Sequence, residues 1–197
     1  FGSFINKKIS ANHTNRTGVN IKGLFYNLDY KMRHPHTTPL VTFAKGNGGT
    51  ALFEAYTNST FELSPKLTAN VGINGRIMLL NNQWMIEPRA NLRWKLNNNQ
   101  SLALAYGLHS RHEKLDYYFV RSQETGELVN KKLDFSKAHH IVLAYDRQLS
   151  TDLFLKIEPY FQYLYDIPVE PGTSFSIVNH KLWYINMPLV NRGKGIN

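Results

Sequence analysis

Cysteine is missing altogether from these 197 residues. Its absence removes a disulfide framework, a thiolate metal site and a cysteine nucleophile together. No apolar run approaches the ~18 residues that a membrane-crossing helix needs. The mean hydropathy of −0.37 still leaves a β-barrel open, because in a barrel wall only alternate residues meet lipid. Acidic residues are the scarcer charge, 14 Asp and Glu against 23 Lys and Arg, for a net +9. The bases are spread along the chain with no basic helix and no clustered run, so nucleic acid is not the expected partner. No serine stands in a Gly-x-Ser-x-Gly setting. The glycine run at 46–49 lacks the Lys-Ser/Thr and helix of a phosphate cradle and reads as a turn at the end of a loop.

What the chain does have is alternation. From Gln83 to His109, Ile86, Pro88, Ala90, Leu92 and Trp94 fall on one side and Glu87, Arg89, Asn91, Arg93 and Lys95 on the other. After the turn triplet Asn97-Asn98-Asn99, Leu102, Leu104, Tyr106 and Leu108 repeat the pattern. Period two marks strands with one apolar face. Each arm outruns the usual five or six residues of a soluble strand and matches the roughly nine to eleven of a tilted barrel strand.

Similar stretches are expected at 2–13, 19–32, 50–63, 67–79, 133–148, 153–166 and 175–185, with a turn at 15–18 and a long connection at 33–49. Pro88 and Pro159 interrupt otherwise regular strands and predict local irregularity. Short connections (15–18, 64–66, 97–99, 149–152) alternate with mostly long ones (33–49, 114–132, 167–172), as in outer-membrane barrels. The expectation is all-β: an antiparallel up-and-down meander of nine or ten long strands, part of a larger transmembrane β-barrel in the outer membrane. The chain opens and closes on strand-like sequence, so it is read as an internal segment.

These residues also resemble a family. Trp84, the run Ile86-Glu87-Pro88-Arg89 and Leu92-Arg93-Trp94, then Ala105-Tyr106-Gly107-Leu108-His109-Ser110-Arg111, are similar to barrel segments of TonB-dependent receptors. So are Leu133-Asp134-Phe135-Ser136, Glu158-Pro159-Tyr160-Phe161-Gln162 and Val190-Asn191-Arg192-Gly193-Lys194-Gly195. The subgroup resembled carries an N-terminal carboxypeptidase-regulatory-like domain. The resemblance implies an importer with a barrel of about 22 strands and a plugged lumen, driven by the inner-membrane TonB complex through N-terminal segments not among these residues. Siderophores, cobalamin or glycans are ligands of such receptors, and nothing here chooses among them. A passive or structural barrel is the first alternative, and a soluble β-sandwich binding module the second.

Site candidates are regional. Arg76, Glu87, Arg89, Arg93, Lys156 and Glu158 are expected to line the lumen. Tyr117, Tyr118 and Arg121, in a long loop, are expected to contact ligand, since loops on a rigid scaffold carry recognition. Glu87 and Glu158 could serve as an acid–base pair, but Arg89 and Lys156 beside them favour ion pairs, and no enzyme is expected. Of the eight histidines, His109 and His112 are expected on opposite strand faces, as are His139 and His140. His34 and His36 read as loop residues, so no metal site or cofactor is expected.

Overall fold

A computed structural model describes residues 1–33, 40–173, 176 and 187–197. Its strands are β1 (Gly2–Ser10), β2 (His13–Met32), β3 (Val41–Ser64), β4 (Leu67–Met78), β5 (Gln83–Asn97), β6 (Gln100–Arg111), β7 (Ser136–Gln148), β8 (Phe154–Ile157), β9 (Tyr160–Val169) and β10 (Val190–Ile196). One four-residue helix, α1 (Leu115–Tyr118), lies in the connection after β6. All ten strands form a single antiparallel sheet in meander order, with β8 beside β7 and with β1 and β10 at its edges. The all-β meander predicted by the alternation is therefore present.

Short and long connections sort to opposite ends of the strands, with 79–82 the one short connection at the long end. Two-residue turns at Ala11-Asn12, Pro65-Lys66 and Asn98-Asn99 and the segment 149–153 close one end. The segments 33–40, 79–82, 112–135 and 170–189 connect strands at the other.

Cross-strand partners point to the same face, so the register identifies both faces. Leu92 stands between Ala69 and Leu104, and Leu104 opposite Leu143. That face continues through Val71, Ile73, Ile86, Ile141 and Phe161, all exposed. In a soluble half-buried sheet an apolar face is packed on a core; here it is uncovered. The opposite face is polar along most of its length. At the long-connection end it turns apolar, where Ala44, Leu52 and Met78 pack against Tyr118, Phe119, Leu133, Phe135 and Leu189. The connection 112–135 thus folds back over the sheet as a strap. It is fixed by a bridge from Val120 to Ala44, a tilted ring contact of Phe119 with Tyr26 at 4.4 Å, and the Asn81 amide donating to the Leu133 carbonyl at 2.8 Å.

Four boundaries differ from the sequence reading. Residues 15–18 are not a turn: they lie inside β2, paired with both β1 and β3. Arg16 lies 3.9 Å over the Phe4 ring, and Gly18 lets β1 approach, since a Cβ there would sit 2.7 Å from the Ser3 carbonyl. Gly46–Gly49 are strand as well, opposite Leu28, Asn27, Tyr26 and Phe25. Gly46 is small because Phe119 occupies the space a Cβ would need, 2.8 Å away. Leu133 and Phe135 belong to the strap and not to β7, because burial in the apolar cluster competes with strand pairing. The expected strand at 153–166 is two, parted at Glu158-Pro159. The expected strand at 175–185 lies outside the described residues, apart from Ser176, which bridges Val169.

Both prolines mark irregularities. β5 pairs β4 without a break, Pro88 opposite Ile73, but its pairing with β6 ends at Arg89 and Gly107, one residue before Pro88. Proline has no N–H for the next rung. At Pro159 the strand parts, although the Pro159 carbonyl still accepts the Leu143 N–H at 3.1 Å.

Candidate functional site

One register row crosses most of the polar face. Asn58 pairs Gly72, Gly72 pairs Arg89, Arg89 pairs Gly107, Gly107 pairs His140, and His140 pairs Gln162. Long polar side chains alternate with glycine, and the neighbours lean into the space. The Asn58 amide covers Gly72, and the His109 ring lies over Gly107, where a Cβ would come within 2.6 Å of Nε2. The result is an open depression of about 300 Å³, lined on its polar side by Asn58, Asn70, Arg89, Asn91, His109 and His140.

Beside it, where the β5–β6 ladder stops, lies a charge cluster around Glu87, which is 1% exposed. Its Oε1 accepts the Ser110 backbone N–H at 2.8 Å and the Ser110 hydroxyl at 2.7 Å. Its Oε2 accepts from Asn74 at 3.0 Å and from Arg89 at 2.8 Å. Arg76 donates to the Ser110 carbonyl at 2.7 Å and pairs with Glu54, itself buried. Two guanidinium groups thus face two carboxylates. A buried charge persists where it is paired and fully hydrogen-bonded, and the cluster meets that condition for Glu87.

The polar-face candidates fall into two groups. Arg76, Glu87 and Arg89 meet in the cluster. Arg93 pairs with Asp146 at 3.4 Å and Lys156 with Glu158 at 2.8 Å, farther toward the short turns. Glu87 and Glu158 are separated by β6 and β7 and each is engaged by its own cation, so the structure does not bring them together as an acid–base pair.

The three loop candidates are placed by the strap. Tyr118 is 1% exposed, inside the apolar cluster, and its hydroxyl accepts the Glu113 N–H at 3.2 Å. Burial pushes its phenol up to about 12, and burial also raises Tyr117, which is half-buried. Arg121 donates to the Gly126 carbonyl at 2.8 Å in a small bridged hairpin. Ligand contact from this group is open to Tyr117 and Arg121 and is closed to Tyr118.

The histidines hold what the sequence reading missed. His139 and His140 do point to opposite faces, as expected. His139 stacks on the apolar side with Tyr165 at 5.2 Å and shares a 2.9 Å hydrogen bond with the Tyr106 hydroxyl. His140 meets His109 on the polar side, ring centroids 4.8 Å apart, and the Gln162 amide lies 2.6 Å from its Nε2. Among the described residues no group of three metal-ligating side chains forms; His34 and His36 lie outside them. Ser110, Asn74, Glu54 and Gln162 were also missed. Period two assigns a face to each residue, but the register that makes neighbours of residues twenty or more apart is invisible to it.

No protein-family model matches this sequence, and no curated protein matches it either.

Proposed function

We propose that this chain is part of the wall of an outer-membrane β-barrel of the TonB-dependent receptor kind, serving ligand uptake and not catalysis. One observation carries the membrane reading. Trp84 and Trp94 lie on the apolar face of β5, 65% and 51% exposed, with Ile86, Pro88, Ala90 and Leu92 between them. Ten residues of strand span about 33 Å at ~3.3 Å per residue. Tilted by about 40°, that becomes ~25 Å, the height of the apolar band between the aromatic girdles of a barrel. On β4 the same span runs from Ile77, opposite Trp84, to Leu67, opposite Trp94, and is aliphatic at both ends. Short turns at one end and, apart from 79–82, longer connections at the other support the same reading.

The family reading rests on the resemblance of the strand motifs. In it the polar face with Arg76, Glu87, Arg89, Arg93, Lys156 and Glu158 lines the lumen. The TonB complex is the energising partner, and lipid covers the apolar face. Two measurements test it in sequence. An antibody against this segment should detect, in outer-membrane fractions, a band whose mobility shifts on heating; a soluble band would overturn the membrane reading. The purified full-length protein should then bind the periplasmic domain of TonB. A heat-modifiable barrel with no such binding would leave a passive or structural barrel instead.

A further inference from the structure

We propose that a second hollow on the polar face, beside the short turns, binds a small organic dianion with a flat apolar body, of the aromatic dicarboxylate class. The inference needs neither the membrane nor the family reading, because register and charge carry it.

One register row supplies the charge. The Lys95 N–H donates to the Lys66 carbonyl at 2.8 Å, Lys95 pairs Ser101, and Ser101 pairs Asp146. Two lysines therefore stand opposite each other, an arrangement that is destabilising while neither charge is met. Arg93, next on the same face of β5, reaches Asp146 at 3.4 Å and keeps its side chain 50% exposed. That is longer than the roughly 2.7–2.9 Å of a strong charge-assisted bond, so the guanidinium still has N–H groups to give. Asp146 also accepts the Ser101 hydroxyl at 3.2 Å, and among the described residues it is the only carboxylate lining the hollow. Three cations against one carboxylate leave two positive charges unmatched. Asn97 adds a donor at the rim: its side-chain carbonyl accepts the Asn99 N–H at 2.9 Å, which leaves its NH2 group to the ligand.

Phe154 decides the body of the ligand. It pairs Gln148, two residues along from the pair of Lys156 with Asp146, so it lies on the polar face. There it is 56% exposed and lines the hollow together with the cations. An aromatic ring laid bare among charges offers its surface to another flat apolar group. A ligand that joins a ring to two anionic groups covers Phe154 and neutralises the surplus in one step. The hollow, about 590 Å³, is of the size that small-molecule sites occupy.

Phthalate and succinate test this, since both are dianions at about pH 8, well above carboxylate titration, and only phthalate carries a ring. Calorimetric titration of the purified full-length protein should give phthalate binding roughly two- to tenfold tighter than succinate. Phe154→Ala should erase that preference and leave succinate binding as it was. In the double variant Lys66→Gln, Lys95→Gln, both ligands should bind at least about tenfold more weakly. Its melting temperature should hold or rise, because the like-charge pair is gone. Wild-type protein that takes up neither dianion overturns the proposal, as does full affinity in the lysine variant. Equal affinities for the two dianions in the wild type overturn the assignment of an aromatic ligand.

Discussion

The Glu87 carboxylate accepts the Ser110 backbone N–H at 2.8 Å, while Arg76 donates to the Ser110 carbonyl at 2.7 Å. Two side chains thus satisfy backbone groups of β6 that β5 no longer reaches once the ladder between them stops at Arg89 and Gly107. The seam above Pro88 is held by charge-assisted bonds in place of a ladder.

Removing that support should be costly. Glu87→Ala leaves Arg76 and Arg89 short of a counter-charge and Ser110 short of an acceptor, and should lower stability by about 3–5 kcal/mol. Glu87→Gln keeps an acceptor for Ser110 and should cost less. Denaturant unfolding gives the energies, and hydrogen exchange locates them: the Ser110 amide should exchange faster in the alanine variant while those of residues 101–107 stay protected. Equal exchange at Ser110 in both proteins would show that the seam does not depend on Glu87.

The two faces of β5 should respond oppositely to added charge. Ala90→Arg, on the apolar face between the two tryptophans, should destabilise the protein in lipid vesicles by about 2–4 kcal/mol, the cost of a cation at the bilayer midplane. Asn91→Arg, one residue on and facing the other way, should change stability by less than about 1 kcal/mol. Similar costs at the two positions would contradict a lipid-facing surface.

Two glycines distinguish a rigid neighbour from a yielding one. Gly46→Ala drives a methyl group against the Phe119 ring, which is packed in the strap cluster, and overpacking of this kind costs about 1–3 kcal/mol. Limited proteolysis within 121–128 should accelerate as the strap loosens. Gly72→Ala meets chiefly the end of the Asn58 side chain, which can rotate away, and the Thr57 carbonyl at 3.2 Å; neither belongs to the strap, so its proteolysis should be unchanged.

Tyr118 links the strap to alkaline pH. Its folded phenol is raised by burial to about 12, against about 10 in an unfolded chain. The unfolded state therefore loses its proton first, and between these values stability falls as pH rises, by up to ~1.4 kcal/mol per pH unit. Below about pH 10 the residue contributes no pH dependence. Unfolding measured from about pH 9 to 11.5 should show this slope in the wild type and not in Tyr118→Phe; an unchanged slope would place the titration elsewhere.

Much of this architecture is legible in the order of residues because a strand's two faces alternate strictly. Leu92, Arg93 and Trp94 declare their sides without any partner. Pro88 and Pro159 announced their breaks for the same local reason, a missing N–H. The failures share a different cause. Arg16 and Gly18 have turn-like composition, yet Phe4 and the approach of β1 hold them in a strand. Gly46 looks like part of a loop until Phe119, more than seventy residues on, is seen to need the space. Tyr118 resembles an exposed loop aromatic, but its burial depends on Leu52, Met78 and Phe135, three separate parts of the chain. The Glu87–Ser110 bond and the His109–His140 pair depend on register, which is fixed by turn length and face burial across several strands.

The hairpin of β2 and β3 outgrows its neighbours. β3 pairs with β4 only from Leu52 onward, so its residues 41–51 extend roughly 35 Å beyond the end of β4, joined along one flank to β2. On the other flank the Val120 bridge to Ala44 braces it near its outer end. The extension is a lever stayed by the strap, through the Val120 bridge, the Phe119–Tyr26 ring contact and the Gln123 amide donating to the Thr42 carbonyl at 3.4 Å. A load at its outer end is carried through Ala44 and Val120 into the strap before it bends the sheet at Leu52, so whatever grips the hairpin also pulls on the segment that carries Tyr117 and Arg121.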